Sequence, residues 1–276
     1  MRDLTVAFSP DADDAFILYA LTQGKLDPGD LSLRFHPLDI ETLNRKSLEA
    51  AFEVTAASFH AYAYMAGKYA ILGAGGIFGD RYGPILVSRE PFPRDAFKKL
   101  QVAIPGTMTT AFLALRLLEP DIAFTLTPFH RILDAVQAGE ADAGLVIHEA
   151  QLAYGERGLH KLLDLGEWWH GETGLPLPLG GLFVRRDLGE GVAGRVATLV
   201  RASIEYAQAH RPEAQAHALA YARGMAGPLA DRYVRMYVNE RSLRYGREER
   251  AALEALFARA HEQGILPHAV PVDIIG

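Results

Sequence analysis

"GPILVSRE", residues 83–90, is an apolar run bounded by a Gly-Pro pair and by charge, and it reads as a short strand. Its place in the chain decides the fold. Before it, strand-like and helix-like segments alternate: "LTVAF" (4–8), "DDAFILYALTQG" (13–24), "LSLRFHPL" (31–38), "IETLNRKSLEAA" (40–51), "EVTAAS" (53–58) and "FHAYAYMAG" (59–67). After it a second alternating set begins: "LQVAIPG" (100–106), "TTAFLALRLL" (109–118), "IAFTLT" (122–127), "FHRILDAVQAG" (129–139), "AGLVIH" (143–148), "EAQLAYGERG" (149–158) and "KLLDLG" (161–166). The chain then passes "TGLPLPLGG" (173–181) into "LFVRR" (182–186), and from there it is nearly all helix-patterned. Alternation of this kind builds a mostly parallel α/β sheet.

Two strand-like segments, Ile85–Ser88 and Gly181–Arg185, thus bracket the second set. The expected architecture is two lobes, each with a mostly parallel sheet, joined by a two-strand hinge, as in a two-lobed binding protein. One lobe is discontinuous, residues 1–88 plus 182–276, and the other is residues 89–181. If the two crossings are the only links, the second lobe is expected to swing over a ligand in the cleft. The helices "GEGVAGRVATLVRASIEYAQAH" and "REERAALEALFARAHEQG" carry apolar residues at i, i+3, i+4 spacing and are expected to pack on the first lobe.

The chain has 276 residues, 49% of them hydrophobic, which suffices for two cores. A net charge of −6 without any Lys/Arg block argues against nucleic acid as a partner. The absence of cysteine excludes disulfides and thiolate nucleophiles. The opening "MRDLTVAFSPDADD" enters a strand at once, without a basic start or an apolar signal region, and no apolar run approaches the roughly 20 residues that span a bilayer. A cytoplasmic location, with no membrane partner, is the expectation.

Three strand-to-helix turns, "SPDADDAF", "TAASFHAY" and "PGTMTTAF", offer backbone N–H groups at helix N-termini, where an anion can dock. Ser, Thr and Asp are also ordinary capping residues, and for any one turn capping is the simpler account. "PGTMTTAF" stands out because Pro105-Gly106 lets the backbone approach a ligand and Thr109 and Thr110 supply two hydroxyls where one cap suffices. Asp11 reads mainly as a cap and Asp14 as a cleft residue; with Asp13 they would repel an anion. His148 ends an apolar strand, a position that faces the cleft in an open α/β sheet. A lone histidine is ordinarily structural; this placement strengthens the case for a general base, but no second histidine and no Ser or Asp partner at motif spacing stands nearby to carry it further. His130, His160 and His170 form no ligand pattern, so no metal is implied. "GAGGIFGDRYG" matches no phosphate-binding pattern and reads as a turn before the crossing. In "GEWWH" one tryptophan is placed either along the cleft or in the core.

Together, "PGTMTTAFLALRL", "ADAGLVIHEAQLAYGERGL" and "DLGEWWHGETGLPLPLGG" resemble the 1,4-dihydroxy-6-naphthoate synthases of the futalosine route to menaquinone. The resemblance implies the two-lobed fold of type II periplasmic binding proteins. It also implies a cofactor-free lyase acting on a small aromatic carboxylate, cyclic dehypoxanthinylfutalosine, with His148 as proton acceptor. On this reading Thr109 and Thr110 hold the aryl carboxylate, Ala57, Ser58 and Phe59 line the first-lobe side, and Asn44 reaches the sugar hydroxyls. The family's first turn often reads Ser-Pro-Cys-Pro-Asn-Asp and a lysine often precedes the serine of the second turn, whereas this chain has "SPDADD" and "VTAAS". Other readings are a chorismate-type dehydratase of the same pathway, a solute-binding protein for transport, which would carry a signal peptide, and the sensing half of a regulator. No oligomeric state follows from the sequence.

Overall fold

A computed structural model describes residues 1–222 and 227–276. Among the described residues twelve strands form two sheets. They are β1 (Arg2–Phe8), β2 (Leu31–Pro37), β3 (Val54–Ser58), β4 (Tyr69–Leu72), β5 (Ile77–Gly79), β6 (Ile85–Ser88), β7 (Gln101–Ile104), β8 (Ala123–Leu126), β9 (Ala143–Val146), β10 (His160–Asp164), β11 (Leu177–Arg185) and β12 (Ile274–Ile275). The first sheet runs β12-β4-β11-β3-β1-β2 with β5 beside β11; the second runs β10-β6-β9-β7-β8. This is the expected two-lobed α/β architecture, and each strand-like segment of the sequence falls on a strand.

The sheets are mixed rather than mostly parallel. β1, β2 and β3 pair in parallel, as do β7, β8 and β9, but β11 is antiparallel to β3, β4 and β5, and β6 is antiparallel to β9 and β10. The cause is geometric. Strands of βα units deliver their carboxyl ends to the cleft, whereas a strand that has just crossed between lobes begins at the cleft and runs away from it. Each crossing strand is therefore antiparallel to its βα neighbours.

The crossings also lie earlier than the sequence placed them. The chain leaves the first sheet after Gly79 and enters the second at Ile85; it leaves the second at Asp164 and returns at Leu177. Ile85–Ser88, assigned by sequence to the 1–88 lobe, is an interior strand of the second sheet. The start of β11, assigned to 89–181, belongs to the first.

One apolar cluster fills the first lobe around Leu4, Phe16, Val54 and Val200. A second cluster does not respect the lobes: it joins Phe59, Tyr62 and Met65 of helix Phe59–Met65 to Leu113 and Leu117 of helix Thr110–Leu118, to Leu145 of β9, and to Leu253 and Phe257 of helix Arg247–Glu262. Helix Arg247–Glu262, expected to pack on the first lobe, touches the second as well. The free swing expected of two lobes joined only by hinge strands meets a continuous hydrophobic interface. Among the described residues no helix is long and apolar enough to cross a membrane.

Candidate active site

The carboxyl ends of β1, β3, β7 and β9 and the start of β11 surround a cleft with about 670 Å³ of open space, counted out to the solvent at its mouth. Ser9, Asp11, Asp13 and Asp14 line it after β1, Ala57 and Ser58 at the end of β3, and Thr109, Thr110 and Ala111 after β7. Ile147, His148 and Gln151 follow β9, Leu179, Gly180 and Gly181 come from β11, and Tyr233 and Tyr237 from helix Gly227–Tyr237.

His148 leaves β9 with φ +56°, a left-handed conformation uncommon for a residue with a side chain. The strain is held by neighbours. Gln151, with its amide oriented to suit its partners, accepts from the His148 backbone N–H at 3.2 Å and donates to the Gly83 carbonyl and the Tyr237 hydroxyl, each at 2.7 Å. The imidazole packs edge-on against Phe129, with ring centroids 5.3 Å apart. Its Nδ1 lies 3.3 Å from Asp11 Oδ2, and its Nε2 is buried without a hydrogen-bond partner.

Asp11 occupies the N-cap position of helix Ala12–Ile17, yet its side chain makes no cap hydrogen bond. The cap expected from the sequence is replaced by contacts inward: Ser9 Oγ donates to Asp11 Oδ2, the oxygen nearest His148. Asp14 accepts from the Ser9 N–H at 2.8 Å. Glu149 reaches from the opposite lobe toward the Ala12 N–H, 3.4 Å away.

Four carboxyl groups in so small a space cannot all stay charged cheaply. Burial, with Asp11's charge second, pushes Asp13 up to about 7, and the same two causes push Glu149 to about 7. Asp14 is raised well above its ordinary value by burial and then by Asp13. At neutral pH part of this wall is therefore protonated and can donate hydrogen bonds, which softens the repulsion of an anion expected from the sequence.

The threonines line the cleft, but their hydroxyls are engaged within the protein. Thr109 Oγ1 caps its helix by accepting from the Phe112 N–H at 3.2 Å and donates to the Gly106 carbonyl at 3.0 Å. Thr110 Oγ1 donates to the Leu179 carbonyl at 2.6 Å and accepts from the His60 N–H at 3.1 Å. What approaches Gly106 is Glu41: a Cβ there would lie 2.2 Å from Glu41 Oε2, which also accepts from the Met108 N–H at 3.3 Å.

Asn44 and Phe59 are not part of the wall. Asn44 is fully buried and spends its amide on Ser58, donating to Ser58 Oγ at 3.1 Å and accepting from the Ser58 N–H at 2.8 Å. It sets the position of a cleft residue instead of reaching a ligand. Phe59 is buried among Phe78 and Phe183, because the first residue of its helix turns into the core. Trp169 is a core residue whose Nε1 donates to the Pro176 carbonyl.

The sequence reading missed Asp11 as a partner of His148, and it missed Gln151, Tyr233 and Tyr237. The two tyrosines stand at i and i+4 on one helix, a spacing that signals a shared face without saying what it faces.

Residues 4–262 match the menaquinone biosynthesis family. A 1,4-dihydroxy-6-naphthoate synthase of Thermus thermophilus is 40% identical over 267 residues, 96% of either chain. One from Streptomyces coelicolor is 36% identical over 275 residues, 97% of this chain and 96% of that one. A protein of Archaeoglobus fulgidus superposes with a TM-score of 0.92 at 42% identity, covering 95% of this chain and 98% of its own. The alkanesulfonate-binding protein of Xanthomonas axonopodis superposes at 0.72 with 13% identity, covering 99% and 96%, a likeness of fold alone. With a full-length family match and two relatives above a third identical, the chain belongs to the menaquinone biosynthesis family, among the 1,4-dihydroxy-6-naphthoate synthases and on the periplasmic binding protein fold.

Proposed function

We propose that the cleft converts cyclic dehypoxanthinylfutalosine to 1,4-dihydroxy-6-naphthoate, with His148 as the proton acceptor. The observation that carries the reading is the His148 imidazole, whose Nε2 is buried in the cleft wall and makes no hydrogen bond, while Nδ1 is engaged by Asp11. Removal of a substrate proton sets off carbon–carbon cleavage of retro-aldol type, and aromatisation of the new ring drives it. The electrons stay within the substrate, so the reaction calls for neither a redox cofactor nor a metal. An imidazole suits proton abstraction near neutral pH.

The aryl carboxylate is assigned to the first turn of helix Thr110–Leu118. Since the threonine hydroxyls are engaged, the donors are the helix's free-end backbone N–H groups, aided by its dipole. Ala57 and Ser58 form the opposite wall, and Asp14 contributes from the β1 turn.

The test is to incubate the purified protein with cyclic dehypoxanthinylfutalosine and follow the naphthoate by mass. Its appearance in proportion to enzyme supports the reading. Binding without conversion would point to a solute-binding role, and dehydration of chorismate in a parallel incubation would point to the dehydratase.

A further inference from the structure

We infer that Asp11 is the positioning residue of His148: its carboxylate, offered from the opposite lobe, holds the imidazole with its proton on Nδ1 and the unprotonated Nε2 toward the substrate. The inference rests on His148 being the base. It is carried by the geometry. Asp11 Oδ2 lies 3.3 Å from Nδ1, the Asp11 side chain is 1% exposed, and Ser9 Oγ donates to the same oxygen. A carboxylate held in this way can only accept from Nδ1, which forces a neutral imidazole to leave Nε2 bare.

The neighbouring carboxyl groups have other tasks. Asp14 accepts from the Ser9 N–H and Glu149 turns to the Ala12 N–H. Asp13 is buried and faces Tyr233. None of these contacts involves the imidazole. Asp11 belongs to the turn after β1 and His148 to the turn after β9, so the pair depends on the registry of the two lobes. The apolar cluster that crosses between lobes fixes that registry. When Nε2 takes the substrate proton, the imidazolium charge forms beside the Asp11 carboxyl group, and the electron pair of the broken C–H or O–H bond remains on the substrate.

The experiment compares Asp11→Asn and Asp11→Ala with His148→Asn, using cyclic dehypoxanthinylfutalosine as substrate. Asp11→Asn keeps the shape and removes the charge; Asp11→Ala removes the acceptor. Both should lower kcat by at least about 10-fold with KM within roughly threefold, as expected of a group that acts through the base. Nitrogen-15 spectra of histidine-labelled protein supply a readout that a merely structural role would not move. The wild-type His148 signal, identified by its loss in His148→Asn, should show a protonated Nδ1 and a bare Nε2, and this pattern should reverse or average in Asp11→Ala. A wild-type Nε2–H tautomer overturns the inference, and so does an Asp11→Asn variant with kcat within twofold of wild type. Should His148→Asn itself retain full turnover, the base assignment fails instead; if it is inactive while both Asp11 variants are unimpaired, only the positioning role fails.

Discussion

His148 and Asp11, 137 positions apart and carried by different lobes, meet with Nδ1 3.3 Å from Oδ2 at the mouth of β9. The other nitrogen of the ring is buried at the cleft without a partner. If His148 is the base proposed above, it contributes to turnover and little to affinity. His148→Asn should lower kcat by roughly 10²- to 10⁴-fold while the affinity for 1,4-dihydroxy-6-naphthoate stays within about tenfold. Steady-state kinetics with product titration check both; a variant that keeps half the wild-type kcat would remove His148 from the chemistry.

The parts of this arrangement that rest on local pattern were legible in the sequence. Alternating segments gave both strand sets, and an apolar run that stops on a histidine placed His148 at a strand end. Contacts made only by the fold were not. Nothing in "SPDADD" indicates that Asp11 turns inward, because a capping aspartate and an aspartate facing a histidine look alike until the partner lobe is in place. Asn44, which the family resemblance directs to the sugar hydroxyls, is fully buried, and its amide pairs with both polar groups of Ser58. The hinge strands were recognised as strands, but their direction depends on which end meets the cleft, and apolar periodicity is the same in either direction.

Thr110 shows how an expected ligand contact becomes a structural one. Its hydroxyl bridges the Leu179 carbonyl and the His60 N–H, tying the turn after β7 to β11 and to helix Phe59–Met65. Thr110→Val leaves both groups buried and unpaired, a loss of about 1–3 kcal/mol each at most. Thr110→Ser should restore stability. Thermal denaturation of the two variants is the check: a Val variant with unchanged Tm and a raised KM would mean that the hydroxyl serves the ligand instead.

Glu149 predicts a pH dependence of stability. Burial, then the charge of Asp11, raises its pKa to about 7, whereas an unfolded chain titrates glutamate at roughly 4.3. The folded protein holds this proton more tightly than the unfolded one. The resulting stabilisation is present below the unfolded pKa and is lost as pH rises through about 7. Glu149→Gln keeps an acceptor for the Ala12 N–H and cannot ionise. The variant's Tm, measured relative to wild type, should therefore rise between pH 5 and pH 8. A difference that is constant over this range would mean that Glu149 titrates as an exposed side chain does.

The interface between the lobes bears on how the cleft admits its ligand. Opening it as a hinge would separate helix Phe59–Met65 from helix Thr110–Leu118, and Leu113, Leu117, Tyr62 and Met65 are all buried in the cluster they share. Each such side chain contributes about 1.5–3 kcal/mol by burial, so a wide opening is costly. The polar contacts at the rim are fewer and more exposed: Arg45 Nη2 donates to Thr107 Oγ1 at 2.6 Å, and Glu41 accepts from the Met108 N–H at 3.3 Å. Movement confined to this rim exposes little apolar surface, so it is the less costly way for the cleft to admit a ligand. Solution scattering with and without saturating 1,4-dihydroxy-6-naphthoate should then give superimposable profiles, while Arg45→Ala should raise the rate of ligand association without changing kcat. A clear compaction on binding would show instead that the lobes part as whole bodies, and that the shared apolar cluster forms anew in each catalytic cycle.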